Sequence, residues 1–466
     1  MPIKFGTDGW RAVISDEFTF ANVRLVAQAI ANYIHNHKQD GKKLIVGYDP
    51  RFLADKFAEE VIKVMESNSI SCLLPERDTP TPVIAFSVKD LGASGAVMLT
   101  ASHNPPEYCG IKFIPDYAGP ANAEITKEIE KYLLNPEVQY GISSGRKASM
   151  ERFDPRERYF KNILNIVDSS VIKKASLKVL YDPMFGSGRG YVDVLLERLG
   201  ANAQEIHSYR DTLFGGRLPE PVEENLAELI AKVKKEKFQL GLATDGDADR
   251  FGVVGEDGKF YTANEIIPML ALYLIEEKGY SGSLVRSVAT THALDKVAAL
   301  HKIKLHETPV GFKHIAEIMM REPVILGGEE SGGISIRGHI PEKDGILADL
   351  LVAEMVARKK KPLAQIKAEL EKKIGKFQGL RVNMHINEEK KAGIISKLKN
   401  AAPKELAGKK VTDVTLIDGI KLVLEDGSWA LLRPSGTEPL LRVYFEAGSG
   451  QGLADMEKAV RRLIGE

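Results

Sequence analysis

The chain has 466 residues, 44% hydrophobic and 27% charged, the composition of a folded globular protein with room for three or four domains. Lys+Arg and Asp+Glu both number 64, a balance that argues against a dedicated nucleic-acid binder, which carries a basic excess. Two cysteines, Cys72 and Cys109, are too few for a disulfide framework or a Cys-based metal cluster, and neither a signal-peptide h-region nor an apolar run of about 18 residues is found, so the expectation is a cytoplasmic protein with no membrane partner.

Helix and strand signals alternate through the first 150 residues. Apolar residues recur at helical spacing over 23–34 and again at Phe57, Val61, Val64 and Met65. Between and after them, β-rich runs at 42–49, 71–74 and 95–100 flank a helix at 83–91. Such alternation predicts a largely parallel sheet. After a polar stretch at 141–151 the pattern restarts: a strand at 178–182, a glycine-rich turn, a helix at 190–199, a further segment at 203–209, a helix near 225–237 and a strand at 238–244. Tyr48-Asp49-Pro50 and Tyr181-Asp182-Pro183 echo each other at strand ends, as duplicated units or as chance. A third unit carries helices near 265–277, 292–300 and 312–321, with strands near 284–288 and 324–326. The last part reads differently. Short strands at 380–386, 414–417, 420–424, 429–432 and 441–445, with Asp-Gly turns and a closing helix near 454–464, predict an antiparallel sheet with helices on one face. The expected domains are 1–150, 151–254, 255–373 and 374–466: three α/β units with mixed, mostly parallel sheets and a smaller α+β unit.

Four segments carry chemistry, and each alone also fits an ordinary surface loop. Thr100-Ala101-Ser102-His103-Asn104-Pro105 follows a buried strand, where ligands collect in open α/β sheets. Ser102 is a candidate nucleophile, and His103 can orient a phosphate or move a proton. Asp245-Gly246-Asp247-Ala248-Asp249-Arg250 places three carboxylates at alternate positions after a strand, oxygen-only chemistry for a hard cation. The spacing copies the start of an EF-hand calcium loop, with Glu256 at the twelfth position. However, Arg250 stands where that loop needs Gly, and the flanks read as strands. Gly327-Gly328-Glu329-Glu330-Ser331-Gly332-Gly333 offers acceptors for sugar hydroxyls; downstream, His339 and Lys343 compete for proton-transfer roles. Arg433-Pro434-Ser435-Gly436-Thr437-Glu438-Pro439, with Arg442 beyond, suits a phosphate dianion. No P-loop and no dinucleotide fingerprint is found.

Together with Phe5-Gly6-Thr7-Asp8-Gly9-Trp10-Arg11, these segments in this order resemble the α-D-phosphohexomutase superfamily, the phosphoglucomutases and phosphomannomutases, over the whole chain. The resemblance implies four domains around a central cleft and a Mg²⁺-dependent mutase cycle with glucose 1,6-bisphosphate as activator or intermediate. It implies that Ser102 is the phosphoserine and that Asp245, Asp247 and Asp249 bind Mg²⁺ with a phosphoserine oxygen. Arg11, His103, Lys112 and Arg250 would surround the reacting phosphate, and Lys343 matches a proton-transfer lysine of phosphoglucomutases. Glu329 and Ser331 would hold sugar hydroxyls, and Arg433, Ser435, Gly436, Thr437 and Arg442 the other phosphate. Glu330 and Gly333 stand where the phosphomannomutase branch more often has Met and His, and phosphoglucosamine mutases commonly carry Gln at 330. Glucose phosphates are therefore the expected substrates, with mannose phosphates or dual specificity as the alternative, a calcium-binding non-enzyme as a distant one, and a monomer or homodimer as the assembly. A serine hydrolase is disfavoured because G-x-S-x-G is absent.

Overall fold

A computed structural model of the chain describes residues 3–6, 8–37, 41–134, 137–141, 148–434 and 440–465. Four sheets organise them. The first contains β1 (Trp10–Val13), β2 (Leu44–Tyr48), β3 (Cys72–Pro75), β4 (Gly95–Leu99), β5 (Tyr108–Pro115) and β6 (Met150–Phe153), in the order β1-β5-β4-β2-β3-β6. The second is β11-β10-β9-β7-β8, built from β7 (Lys178–Asp182), β8 (Asn202–Glu205), β9 (Leu240–Thr244), β10 (Phe251–Gly255) and β11 (Phe260–Tyr261). The third is β13-β12-β14-β15, from β12 (Ser283–Ser287), β13 (Leu305–Thr308), β14 (Val324–Gly328) and β15 (Ile334–Ile336). In each, parallel pairings at the centre give way to antiparallel ones at one edge, such as β4 on β5, β9 on β10 and β14 on β15. β2, β4, β9 and β14 are buried or nearly so along their whole length, as expected for strands covered on both faces.

The fourth sheet is antiparallel throughout: β16 (Gln378–His385), β17 (Glu405–Leu406), β18 (Lys409–Thr415), β19 (Ile420–Leu424), β20 (Trp429–Pro434) and β21 (Leu440–Ala447), ordered β16-β21-β20-β19-β18-β17. Side chains alternate across it. Ala430 and Leu432 join the core shared with helices Glu388–Asn400 and Gly450–Ile464, while Trp429 and Leu431 pack with Val288 and Ala289 of the third unit. The fold is thus three α/β units with mixed, mostly parallel sheets and a C-terminal α+β unit.

Some elements differ from the sequence reading. The strand expected at 414–417 lies earlier, at β18, and Leu416 and Ile417 are exposed in the following turn. Of the segment 203–209 only the start is strand, β8. The helix Gly345–Lys359 was not anticipated. Residues 345–357 are buried all round, so it shows no amphipathic stripe to read. It packs against helix Ala263–Glu276 and strands β9 and β10, giving the second and third units one continuous core.

All four chemistry-bearing segments come directly after strands: Ser102 after β4, the Asp loop after β9, Glu329 after β14 and the Arg433 segment at the end of β20. No described helix is long and apolar enough to cross a membrane.

Candidate active site

The serine loop is held from below by a residue that no motif flagged. Arg51 is completely buried. Its Nη2 donates to the carbonyl oxygens of Ser102 and Asn104, each at 2.7 Å, and its Nη1 to those of Pro105 at 2.7 Å and Tyr108 at 2.9 Å. Asp49, fully buried beside it, pairs with Arg51 Nε at 3.2 Å and accepts from Thr100 Oγ1 at 2.7 Å. Thr100 Oγ1 in turn accepts from Ser102 N at 2.8 Å. These contacts fix Ser102 at φ 51°, the left-handed region that a non-glycine residue enters only when its surroundings impose it.

Ser102 Oγ donates to Asp245 Oδ2 at 2.7 Å and lies 3.4 Å from His103 Nδ1. Asp245, Asp247 and Asp249 are fully buried in the hairpin between β9 and β10, with carboxylate oxygens within 4.8 Å of one another. Thr81 of the first unit donates to Asp247 Oδ2 at 2.6 Å and Lys112, on β5, at 2.9 Å; Lys112 also reaches Asp249 Oδ2 at 2.9 Å and Asp8 Oδ2 at 3.0 Å. Lys343 of the third unit closes the ring, 2.9 Å from Asp249 Oδ2 and 3.1 Å from Asp8 Oδ2. Arg11 Nη2 sits 3.3 Å from Asp8, and its Nη1 donates to Asn104 Oδ1 at 2.8 Å. Three units thus supply one charge network around Ser102.

The electrostatics favour a divalent cation. Burial, and then the Asp247 and Asp249 charges, push the Asp245 carboxyl well above the usual carboxylate range. Asp247 Oδ1 and Asp249 Oδ1 are buried and meet no hydrogen-bond donor. Crowded buried carboxylates with unsatisfied oxygens, beside a serine hydroxyl, form an all-oxygen donor set of the kind that holds a hard divalent cation. The flanking elements are paired strands and Glu256 is exposed, unlike an EF-hand. Cations border the triad. For Lys112 burial opposes the charge, but Asp247, Asp249 and Asp8 outweigh it and hold the ammonium well above its ordinary range. Lys343 is likewise raised by Asp249 and Asp8 against burial. His103 is pushed well below the ordinary imidazole range by burial and then by Arg250, Arg11 and Lys343, so its ring is neutral.

Arg250 donates its backbone N–H to Asp245 Oδ1 at 3.1 Å and faces Glu220 at 3.4 Å. Next to it begins the helix Gly345–Lys359. Gly345 N donates to Ala248 O at 3.1 Å, and a Cβ on Gly345 would collide with the Arg250 carbonyl. The glycine after Lys343-Asp344 is what lets that segment abut the Asp loop. Glu329 is buried, accepts Gly311 N at 2.7 Å, and is pushed up to about 7 by burial and by Glu330. Ser331 lies in the same turn, half-buried.

His339 belongs elsewhere. Its Nε2 pairs with Asp344 Oδ2 at 2.8 Å and its Nδ1 with Asn162 Nδ2 at 3.2 Å, while Tyr159 OH donates to the same Asp344 oxygen at 2.7 Å. Of the two competing residues, Lys343 is in the ring around Ser102 and His339 buttresses the helix start behind it. Arg433 and Arg442 are direct cross-strand partners on β20 and β21. Like charges directly opposite each other are unfavourable, and Asp418 Oδ2, 2.8 Å from Arg433 Nε, offsets part of that repulsion. Ser435, Gly436 and Thr437 lie outside the described residues. Asp8, Arg51 and Thr81 were missed as site residues. Asp8 lies inside the Phe5–Arg11 segment and Arg51 directly follows Tyr48-Asp49-Pro50, the signals the sequence offers for them.

The chain is similar to known proteins along its whole length. The phosphoglucomutase/phosphomannomutase alpha/beta/alpha domains I, II and III match residues 2–139, 157–258 and 262–374, and the C-terminal domain matches 351–463. A phosphoglucomutase/phosphomannomutase of Thermococcus kodakarensis is 29% identical over 445 residues, 96% of this chain and 94% of that one. A protein of Pyrococcus abyssi named as a probable phosphoglucosamine mutase is 31% identical over 461 residues, 99% and 97% of the two chains. A crystal structure from Thermus thermophilus, whose phosphomannomutase name is itself provisional, superposes with a TM-score of 0.87 at 34% identity over 100% of both chains. The chain belongs to the phosphoglucomutase/phosphomannomutase family of intramolecular phosphotransferases, within the α-D-phosphohexomutase superfamily.

Proposed function

We propose that the protein interconverts hexose 1-phosphate and hexose 6-phosphate, with glucose phosphates preferred, through a phosphorylated Ser102 and a bisphosphorylated sugar. The observation that carries this reading is the contact of Ser102 Oγ with Asp245 Oδ2 at 2.7 Å, inside a ring of ammonium and carboxylate groups from three units.

In the first step the bond between phosphorus and Ser102 Oγ breaks and a bond forms between phosphorus and a free sugar hydroxyl, which gives up its proton as Ser102 Oγ takes one up. In the second step the bond between phosphorus and the other sugar oxygen breaks, a bond forms between phosphorus and Ser102 Oγ, and the serine gives up its proton as that sugar oxygen takes one up. Phosphoryl transfer needs alignment and charge neutralisation. Asp245, Asp247 and Asp249 would hold Mg²⁺ with a phosphoserine oxygen, and the ion when bound supplies charge neutralisation and alignment at the phosphoryl oxygens. Lys112, Arg11 and Arg250 face the same oxygens. Lys343, held as an ammonium by Asp249 and Asp8, places positive charge beside the reacting oxygens. Glu329 and Ser331 orient the sugar through its hydroxyls. Arg433 and Arg442, with Ser435, Gly436 and Thr437, grip the distal phosphate. Because that grip is on a separate unit, it serves either end of a turned intermediate, and opening of the C-terminal unit gives the sugar room to turn.

The preference for glucose rests on Glu330 and Gly333, which stand where the phosphomannomutase branch more often has Met and His. A Cβ on Gly333 would approach the Lys343 side chain to 2.5 Å, so a histidine at this position, as in the phosphomannomutase branch, does not fit with Lys343 where it stands. The relatives named for glucosamine supply a second reading, glucosamine phosphates. Phosphorus NMR of the protein with Mg²⁺, a trace of glucose 1,6-bisphosphate, and the 1-phosphates of glucose, mannose and glucosamine together separates the readings. The first 1-phosphate to become a 6-phosphate is expected to be that of glucose. Release of inorganic phosphate with no conversion contradicts the mutase reading.

A further inference from the structure

Polar contacts tie the C-terminal unit to the third one. Lys421 Nζ donates to Val288 O and Glu307 Oε1, both at 2.9 Å. Glu446 Oε1 accepts His292 N at 2.9 Å. Asp418 Oδ2 accepts Val310 N at 3.1 Å. The Asp418 contact differs in kind, because the same oxygen also accepts Arg433 Nε at 2.8 Å. Moreover, the residue after Val310 is Gly311, whose N–H holds Glu329 Oε1 at 2.7 Å. Two consecutive backbone N–H groups therefore anchor one carboxylate that orients an arginine of the phosphate segment and one that belongs to the sugar loop.

We infer that Asp418 is a positioning residue: it fixes the Arg433 guanidinium for the distal phosphate, and it is itself fixed by the third unit through Val310. The inference rests on the reading of Arg433 as a phosphate ligand. With Nε committed to Asp418, the end-on pair Nη1 and Nη2 is the bidentate geometry left for a phosphate. An arginine side chain otherwise carries several free rotations, and ordering them on binding lowers affinity. Because Asp418 is anchored across the interface, the arginine is ordered when the C-terminal unit rests against the loop that also holds Glu329. Binding of the phosphate and of the sugar hydroxyls then favours the same closed arrangement.

The test is a double-mutant cycle on the full-length protein, with kcat and KM measured for the hexose 1-phosphate that turns over, saturated with its bisphosphate. Asp418→Ala is expected to raise KM about tenfold with kcat changed less than about threefold, since the lost interaction is equal in ground and transition states. In the Arg433→Met background the same substitution is expected to add less than about twofold, because a shared partner makes the effects non-additive. Asp418→Asn keeps an oxygen acceptor and is expected to hold KM within about threefold of the unmodified protein. An equal rise in KM from Asp418→Ala in both backgrounds overturns the inference, as does a fall in kcat and melting temperature common to the Ala and Asn variants with KM unmoved. A normal KM for Arg433→Met by itself instead contradicts the phosphate-ligand reading on which the inference stands.

Discussion

Arg51 Nη2 donates to the carbonyl oxygen of Ser102 at 2.7 Å, from a side chain with no exposure to solvent. One guanidinium thereby satisfies four carbonyls of the serine loop and pairs with buried Asp49. Arg51→Met removes the guanidinium from those carbonyls and leaves Asp49 with Thr100 Oγ1 and the residue-51 N–H but no cation. The expected loss is about 3 kcal/mol of stability, the scale for breaking a buried pair, with little phosphorylation of Ser102. Arg51→Lys keeps the charge and loses the fork. It is expected to lower kcat more than tenfold with KM within about threefold. Thermal melting and steady-state kinetics on both variants check this, and unchanged kcat in Arg51→Lys contradicts it.

Under the proposed reading, Glu329 trades stability for sugar recognition. Burial and the adjacent Glu330 push its carboxyl up to about 7, whereas an unfolded glutamate ionises near 4.3. The folded pKa is the higher, so the unfolded chain loses its proton first. The cost is absent below about pH 4, grows from there to pH 7 and is constant above. Glu329→Gln keeps an acceptor for Gly311 N–H and is expected to gain about 2 kcal/mol at pH 7.5 and almost nothing at pH 4. The same change is expected to cut kcat/KM at least about tenfold, and in the unmodified protein KM is expected to fall as pH rises from 6 to 8. Melting curves at the two pH values with kinetics on each form decide it.

A cation held by the Asp triad would relieve the repulsion that Asp247 and Asp249 exert on Asp245. Chelation is expected to abolish turnover and added Mg²⁺ to restore it. Mg²⁺ at about 100 times its dissociation constant is expected to stabilise the protein by about 2.7 kcal/mol, seen as a raised melting temperature. Asp247→Asn, which loses one charge from the donor set, is expected to shrink that rise. A melting temperature indifferent to Mg²⁺ in the unmodified protein contradicts the site.

Gly333 and Lys343 are predicted to be coupled. Gly333→Ala pushes against the Lys343 stem, 2.5 Å from the new Cβ, and is expected to lower kcat about tenfold. In a Lys343→Met background the same change is expected to cost less than about twofold, since the displaced ammonium is already gone. Additive losses place the effect of Gly333 elsewhere.

Local pattern revealed the strands that end at the site, because β2, β4, β9 and β14 are short apolar runs followed by polar or glycine-rich loops. It missed β5, where Gly110 and Lys112 interrupt the run. It also misplaced β18, a mostly exposed strand with charged residues and a register shift between Val411 and Asp413, the features that keep such strands from aggregating. The motif residues could be named from the family resemblance. The residues that support them could not. Arg51, Thr81 and Asp418 reach their partners from 51, 166 and 15 positions away, and no spacing rule brings them together. His339 and Lys343 stand four residues apart, and only tertiary packing sends one to Asp344 and the other to Asp8.

The most direct test of the central reading is transfer of phosphate to one side chain. The protein, stripped of phosphate, is incubated with Mg²⁺ and glucose 1,6-bisphosphate labelled with ³²P, then digested and mapped by mass spectrometry. Label is expected on the peptide carrying Ser102, chased off by unlabelled glucose 1-phosphate or glucose 6-phosphate, and absent from Ser102→Ala together with turnover. Label on another residue, or a Ser102→Ala variant that keeps normal turnover, contradicts that reading.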